Sequence, residues 1–333
     1  MHLLKKLIVI GTFALGMAGF SSQAYAECGK ITIAEMDWAS AEMFAHIDKV
    51  VLENAYGCEI ELVPGATMPT ATSMMEKGEP DVAPELWINA VRTALDAATE
   101  EGRLHYAAEV FSDTGEEGWW IPQYIADANP DIQTVSDALA RPDLFPHPEG
   151  GGGGLYTCPS GWNCQLSTNN LFRAFGGEEA GFRIIDPGSG GALAGSIAEA
   201  YEKEQGWFGY YWAPTAILGK YPMKKLSFDT PHDNDEWNSC TSQEDCADPQ
   251  KNSWVVSSVY TVVTDNFKQN AGIGMDYIVK RALPNSTINA LLAWKDDNQA
   301  TGEDAAYYFL ENYTEWHDWV DFGARLKVEN AVN

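Results

Sequence analysis

Residues 30–63 read KITIAEMDWASAEMFAHIDKVVLENAYGCEIELV. Lys30-Ile31-Thr32-Ile33-Ala34 has the character of a buried first strand. From Ser40 to Tyr56 the apolar residues Met43, Phe44, Ile47, Val50, Val51 and Tyr56 recur at helical spacing, and Gly57 closes that helix. Cys58 to Val63 then predicts a second strand. Beyond it, Thr70 to Lys77 predicts a short helix stopped by Gly78, and Asp81 to Trp87 a third strand running into a loop. Strands alternating with helices imply a parallel sheet with connections on both faces. In such sheets ligands collect beyond the carboxyl ends of the strands. Trp38 lies just past the first strand and Trp87 closes the third, so topology alone puts both on the ligand side.

A second α/β unit follows. Arg183 to Asp186 predicts a strand, Gly188-Ser189-Gly190-Gly191 opens a helix to about Glu204, and Phe208-Gly209-Tyr210-Tyr211-Trp212 predicts a strand ending in another Trp. The glycine-rich turn could hold an anion, but a tight strand-to-helix turn explains it as well. Strong extended stretches near 119–125 and 258–264 flank this unit and are expected to be the two crossings of a hinge. The expected division is an outer α/β domain of residues 27–120 plus 265–333 and a middle α/β domain of residues 121–264. The ligand belongs in the cleft between them.

The chain begins Met1-His2-Leu3-Leu4-Lys5-Lys6, runs apolar to about Phe20 and reaches Ala24-Tyr25-Ala26. That pattern predicts a signal peptide, residues 1–26, cleaved after Ala26. The apolar run falls short of the roughly 20 residues a membrane-spanning helix needs. With 48 acidic against 21 basic residues, the formal net charge is −27, which argues against nucleic acid or an anionic membrane as partner. Six cysteines in an exported chain favour disulfides, with fifteen possible pairings. Cys28–Cys58, Cys158–Cys164 and Cys240–Cys246 are favoured, the last two because each closes a short local loop. A zinc site is the competing reading, but no Cys-x-x-Cys occurs.

Motifs for enzymes are missing: there is no His-Glu-x-x-His, no Gly-x-Ser-x-Gly and no phosphate-cradling Gly-x-x-x-x-Gly-Lys. The Glu116/Glu117 pair could suit glycoside hydrolysis, yet 48 acids make such pairs common. The expectation is a non-enzyme, with a secreted hydrolase as the alternative class. More informative is Tyr156-Thr157-Cys158-Pro159-Ser160-Gly161-Trp162-Asn163-Cys164. A loop closed by cysteines six apart can turn backbone N–H groups toward one anion, and Trp162 places an aromatic face beside them. Of twelve tryptophans, Trp207, Trp254, Trp294, Trp316 and Trp319 fit core positions. Trp38, Trp87, Trp162 and Trp212 differ, each at a strand end or in a loop facing the cleft. Aromatic faces are what bind a quaternary ammonium, which has no N–H to donate.

These residues carry a resemblance. Leu86-Trp87, the Cys158-Pro159-Ser160-Gly161-Trp162-Asn163-Cys164 loop and Tyr210-Tyr211-Trp212-Ala213-Pro214 resemble the glycine betaine/proline betaine-binding proteins of ABC importers, over essentially the whole mature chain. The resemblance implies a two-lobed periplasmic binding protein of type II, with two α/β domains joined by a two-strand hinge. It implies that Trp87, Trp162 and Trp212 box a trimethylammonium group while backbone N–H groups of Asn163 and Cys164 hold a carboxylate. Gly118-Trp119-Trp120-Ile121 and the acidic Cys240–Cys246 hairpin are similar to a branch that includes trimethylamine N-oxide binders. That branch implies Trp38 as a fourth wall and Glu85 or Glu117 as an acidic residue touching the ligand. Trp119, Trp120 and Tyr211 are further candidates for cage or hinge. A metal ion on the hairpin would draw on Asp233, Asp235 and Asp245; a solvated acidic loop is the stronger expectation, so no metal and no cofactor is expected. The expected function is capture of glycine betaine, or else dimethylsulfoniopropionate, by a periplasmic monomer that serves an inner-membrane ABC permease. Trimethylamine N-oxide is the rival ligand, and feeding a chemoreceptor is the rival role.

Overall fold

The structure, a computed structural model, describes residues 28–89, 91–254 and 256–333. The expected signal peptide and its cleavage site lie outside these residues. Among the described residues no helix is long and apolar enough to cross a membrane.

Two five-stranded sheets organise the chain. The first contains β1 (Lys30–Met36), β2 (Glu59–Gly65), β3 (Val82–Trp87), β4 (Leu104–Glu109) and β10 (Val259–Thr264), in the order β2-β1-β3-β10-β4. The second contains β5 (Glu116–Pro122), β6 (Gly153–Tyr156), β7 (Phe182–Ile185), β8 (Gly209–Ala213) and β9 (Met223–Lys225), in the order β7-β6-β8-β5-β9. Each sheet has a parallel trio, β2-β1-β3 or β7-β6-β8, extended by one antiparallel strand, β10 or β5.

The expected βαβ start is present. The helix Ala39–Tyr56 buries Met43, Phe44, Ile47, Val50 and Val51, and Gly57 ends it in the left-handed conformation at φ 72°, where a side chain would be strained. That helix packs against the helices Gly302–Asn312 and Phe322–Val332, so the C-terminal segment returns to the first lobe. A buried ion pair ties this layer to the sheet. Arg281 Nε lies 2.8 Å from Asp48 Oδ1, and its guanidinium also donates to the Pro84 carbonyl at 2.7 Å. The Tyr277 hydroxyl donates to the same Asp48 oxygen at 2.7 Å, and the Phe44 ring lies under the guanidinium.

The crossings differ from the expectation. Residues 119–125 do not form a free connector: β5 hydrogen-bonds between β8 and β9, and a helix follows at Gln123–Ala128. Residues 258–264 are equally committed, as β10 between β3 and β4. A division at 120/121 and 264/265 would separate both strands from the sheets they bond to. The chain instead passes between sheets just before each strand, where Gly115 and Ser257 pair side by side. An added strand has the same apolar alternation as a crossing strand, so only its hydrogen-bond partners tell them apart.

All three favoured disulfides form: Cys28–Cys58, Cys158–Cys164 and Cys240–Cys246. The Cys240–Cys246 hairpin is pinned to the helix Asn163–Ala174. The Asn170 amide donates to the carbonyls of Cys240, Thr241 and Gln243, and Arg173 donates to those of Cys246 and Ala247.

Candidate functional site

The carboxyl ends of both parallel trios face each other across the cleft. β1 leads into Asp37 and Trp38, β3 ends on Trp87, β6 leads into the Cys158 loop, and β8 carries Trp212. One small hollow between the lobes is lined by Trp38, Thr67, Trp87, Glu117, Trp162, Asn163, Cys164, Tyr210 and Trp212. All four tryptophans singled out in the sequence therefore meet, each no more than 7% exposed. The Trp162 ring stands edge-on to Trp38 at 5.4 Å and to Trp212 at 5.2 Å between centroids, the geometry that aromatic quadrupoles favour. Trp38 and Trp212 also line a larger open cleft outside the hollow, with Glu35, Asp37, Glu42 and Lys295 on its walls.

The Cys158 loop runs directly into a helix. Trp162 is the N-cap of a twelve-residue helix, Asn163–Ala174, so Asn163 and Cys164 form its first turn inside the disulfide. Their N–H groups have no partner within the helix, and a helix N-terminus carries about half a positive charge. Anion affinity here is that of a helix end. Three cross-lobe bonds hold it in place: the Met68 N–H donates to the Gly161 carbonyl at 3.1 Å, the Asn163 side-chain amide donates to the Trp87 carbonyl, and Trp162 Nε1–H donates to Asp37 Oδ1 at 2.7 Å.

Glu85 and Glu117 are both fully buried but have different places. Glu117 lines the hollow; its Oε1 accepts from the Tyr210 hydroxyl at 2.8 Å and its Oε2 from the Ser257 hydroxyl. Glu85 stands behind the rings. Its Oε1 accepts from Trp38 Nε1 at 2.7 Å, Trp87 Nε1 at 2.9 Å and Ser40 Oγ at 2.9 Å. Burial pushes both carboxyls above their ordinary value, and the donated hydrogen bonds oppose that rise. Of the two acids expected as alternatives beside a ligand, Glu117 lines the hollow and Glu85 contacts the aromatic wall.

Trp119, Trp120 and Tyr211 do not line the hollow. Trp119 is fully buried against Phe208 and Phe228, and Trp120 donates its indole N–H to the Tyr211 carbonyl. Strand alternation explains the place of Trp120 and Tyr211. β5 and β8 pair Glu117 with Trp212, Gly118 with Tyr211 and Trp119 with Tyr210. Glu117, Trp119, Tyr210 and Trp212 thus share one face and Trp120 and Tyr211 take the other; Trp119 is kept from the hollow by its packing against Phe208 and Phe228. The same period would have found Tyr210, two residues before Trp212. Thr67 had no comparable signal, since its helix, Thr67–Lys77, begins three residues ahead of the expected start.

The hairpin does not gather Asp233, Asp235 and Asp245 around a point. Asp233 Oδ1 instead accepts from the N–H groups of Asp235 and Glu236, capping a short turn. Among the described residues the one close set of ligand-type atoms is Glu236 with the sulfurs of Cys240 and Cys246. Those sulfurs are bonded to each other and offer no thiolate.

Comparison with known proteins adds the family. Residues 29–312 match the family described as the substrate-binding domain of ABC-type glycine betaine transport systems. The chain belongs to that family. Its fold resembles the glycine betaine/L-proline-binding protein ProX of Borrelia burgdorferi, with TM-score 0.71 and 15% identity over 90% of this chain and 99% of that one. It is also similar to an ABC-transporter choline-binding protein solved with choline, with TM-score 0.71 and 15% identity over 92% and 99% of the two chains. Lactococcal OpuAC, solved closed on glycine betaine, gives TM-score 0.64 and 14% identity over 88% and 100%. These likenesses establish the two-lobed type II binding-protein fold. No curated protein sequence matches the chain. The family and these structural neighbours are solute-binding proteins, not enzymes.

Proposed function

We propose that the protein is the periplasmic receptor of an ABC importer and captures a methylated onium osmolyte, glycine betaine first and dimethylsulfoniopropionate second. The observation that carries this reading is one hollow walled by four indoles from two lobes, with a helix N-terminus opening into it. A trimethylammonium group spreads its charge over methyl groups and is best held by ring faces, each contributing roughly 0.5–2 kcal/mol. The first turn at Asn163 and Cys164, with the Thr67 hydroxyl nearby, would take the carboxylate of the same ligand. Trp38 and Trp87 come from one lobe and Trp162 and Trp212 from the other, so capture and closure are one event. The bound form would then be handed to a permease in the inner membrane.

A second reading is trimethylamine N-oxide. Trp38 as a fourth wall and the Glu117 carboxylate inside the hollow favour a smaller ligand without a carboxylate of its own. A calorimetric panel of glycine betaine, dimethylsulfoniopropionate, choline, carnitine and trimethylamine N-oxide separates the two. Strongest binding by a betaine supports the first reading, and strongest binding by the N-oxide supports the second. A preference for choline, which has no carboxylate, contradicts a role for the helix N-terminus in holding an anion.

A further inference from the structure

Three of the four indoles around the hollow end on carboxylates. Trp38 and Trp87 share Oε1 of Glu85, and Trp162 donates its Nε1–H to Oδ1 of Asp37 at 2.7 Å. Tyr210 follows the same pattern, its hydroxyl donating to Glu117. Four indoles elsewhere among the described residues use neutral acceptors, whereas Trp254, packed on Tyr210, approaches Glu117. Trp120 donates to the Tyr211 carbonyl, Trp207 to the Ser196 hydroxyl, Trp237 to the Asn89 carbonyl and Trp316 to the Leu310 carbonyl. A neutral oxygen is therefore sufficient to satisfy a buried indole N–H in this fold.

A charged acceptor is the costlier choice. Glu85 is fully buried, and its second oxygen, Oε2, has no hydrogen-bond partner. Removing a carboxylate from water is unfavourable unless it is paired and hydrogen-bonded, and here three donated hydrogen bonds and the nearby charge of Arg281 offset only part of the cost of burial. Glutamine at this position would still present an oxygen to both indoles without that penalty. The Glu85 side chain is also absent from the lining of the hollow, so its contact with the site is through the two rings it holds. An indole whose N–H is bonded to an anion is polarised toward its face, and a more negative face holds a cation more strongly.

We infer that Glu85, assisted by Asp37 behind Trp162, is a positioning residue that fixes the cage indoles and charges their faces, so that the hollow selects a permanent positive charge and not merely a methylated shape. This rests on the onium reading given above. It assigns Glu85 a specificity role exerted through Trp38 and Trp87, with no contact to the ligand.

The test uses calorimetry with two ligands of the same shape. Glycine betaine carries a quaternary nitrogen; 3,3-dimethylbutanoate has a quaternary carbon in its place and the same carboxylate. Glu85→Gln is expected to weaken glycine betaine at least tenfold while leaving the neutral-headed isostere within about twofold, so the ratio between them falls. Asp37→Asn, at an exposed carboxylate serving one indole, is expected to move the ratio the same way by less. Equal losses for both ligands in both variants would mean that the carboxylates only prop the rings, and would overturn the inference. Should the isostere bind too weakly to titrate, near-UV circular dichroism decides. An unchanged tryptophan signal with a tenfold loss of glycine betaine affinity supports charge transmission; a loss seen only with an altered signal overturns it. If the wild-type protein fails to bind glycine betaine, the fault lies in the functional reading itself.

Discussion

At the scale of single residues, exposure does not separate site tryptophans from structural ones. Trp162 and Trp316 are both buried, at 5% and 0% exposed, but Trp316 satisfies its N–H on the Leu310 carbonyl inside the first lobe. Trp162→Ala or Trp212→Ala is expected to weaken ligand binding at least tenfold, about 1.4 kcal/mol or more. Trp316→Ala is expected to lower stability by about 3–5 kcal/mol while leaving the affinity of the folded fraction unchanged; thermal melts beside titrations check both. Glu117 makes affinity depend on pH. Burial raises its pKa, so on acidification it takes up a proton earlier than an ordinary carboxyl near 4.3. Protonation removes a negative charge from the hollow, so affinity for a cation is expected to fall as pH drops. Titrations at stepwise lower pH should show the fall beginning above the usual carboxylate range, and Glu117→Gln should flatten it. The four tryptophans were legible in the sequence because parallel strands fix which end carries the ligand. The bond from Glu85 to Trp38 was not legible, because it joins residues 47 positions apart through packing that no spacing encodes; the bond to Trp87 spans two residues of one strand, whose alternation puts both on one face.

At the scale of elements, the hinge and the hollow touch. A Cβ on Gly115 would lie 2.7 Å from the Trp87 ring, closer than carbon atoms pack. Gly115→Ala is therefore expected to displace Trp87 or spread the paired crossing at Ser257, weakening binding while the sheets stay intact. Far-UV circular dichroism unchanged beside a reduced affinity is the expected pair of results. Gly190 makes a similar approach, its absent Cβ leaving room for the tip of Trp162 at 2.9 Å. That gives the glycine-rich turn after β7 a packing reason. Alternating strands and helices made the β1-to-β3 unit readable from residue types. The membership of β5 and β10 was unreadable for a physical reason, since an antiparallel strand can extend either sheet without changing its own pattern. Trp120 and Tyr211, candidates through the motifs they belong to, face away from the hollow because alternation along β5 and β8 puts them opposite to Glu117 and Trp212.

At the scale of the molecule, the first lobe is a platform whose rigidity sets the site. Arg281 and Asp48 are both fully buried and lie beneath β3, the strand that carries Glu85 and Trp87. Arg281→Met would leave the Asp48 carboxylate without its cation, and a loss of about 3–5 kcal/mol in unfolding stability is expected by denaturant titration. Closure joins this platform to the second lobe through few direct links. They include Trp162 to Asp37, Asn163 to the Trp87 carbonyl, and Lys220 to Asp296 and Asp297. A ligand held by both lobes should therefore raise the melting temperature, since it binds the folded, closed form alone. The central claim is that indoles from both lobes jointly enclose one methylated cation. Its most direct measurement is calorimetric titration of glycine betaine into the wild-type protein and the Trp87→Ala/Trp162→Ala double variant, one indole removed from each lobe. The account predicts saturable one-to-one binding by the wild type and its loss in the variant; equal affinity in the two proteins would contradict it.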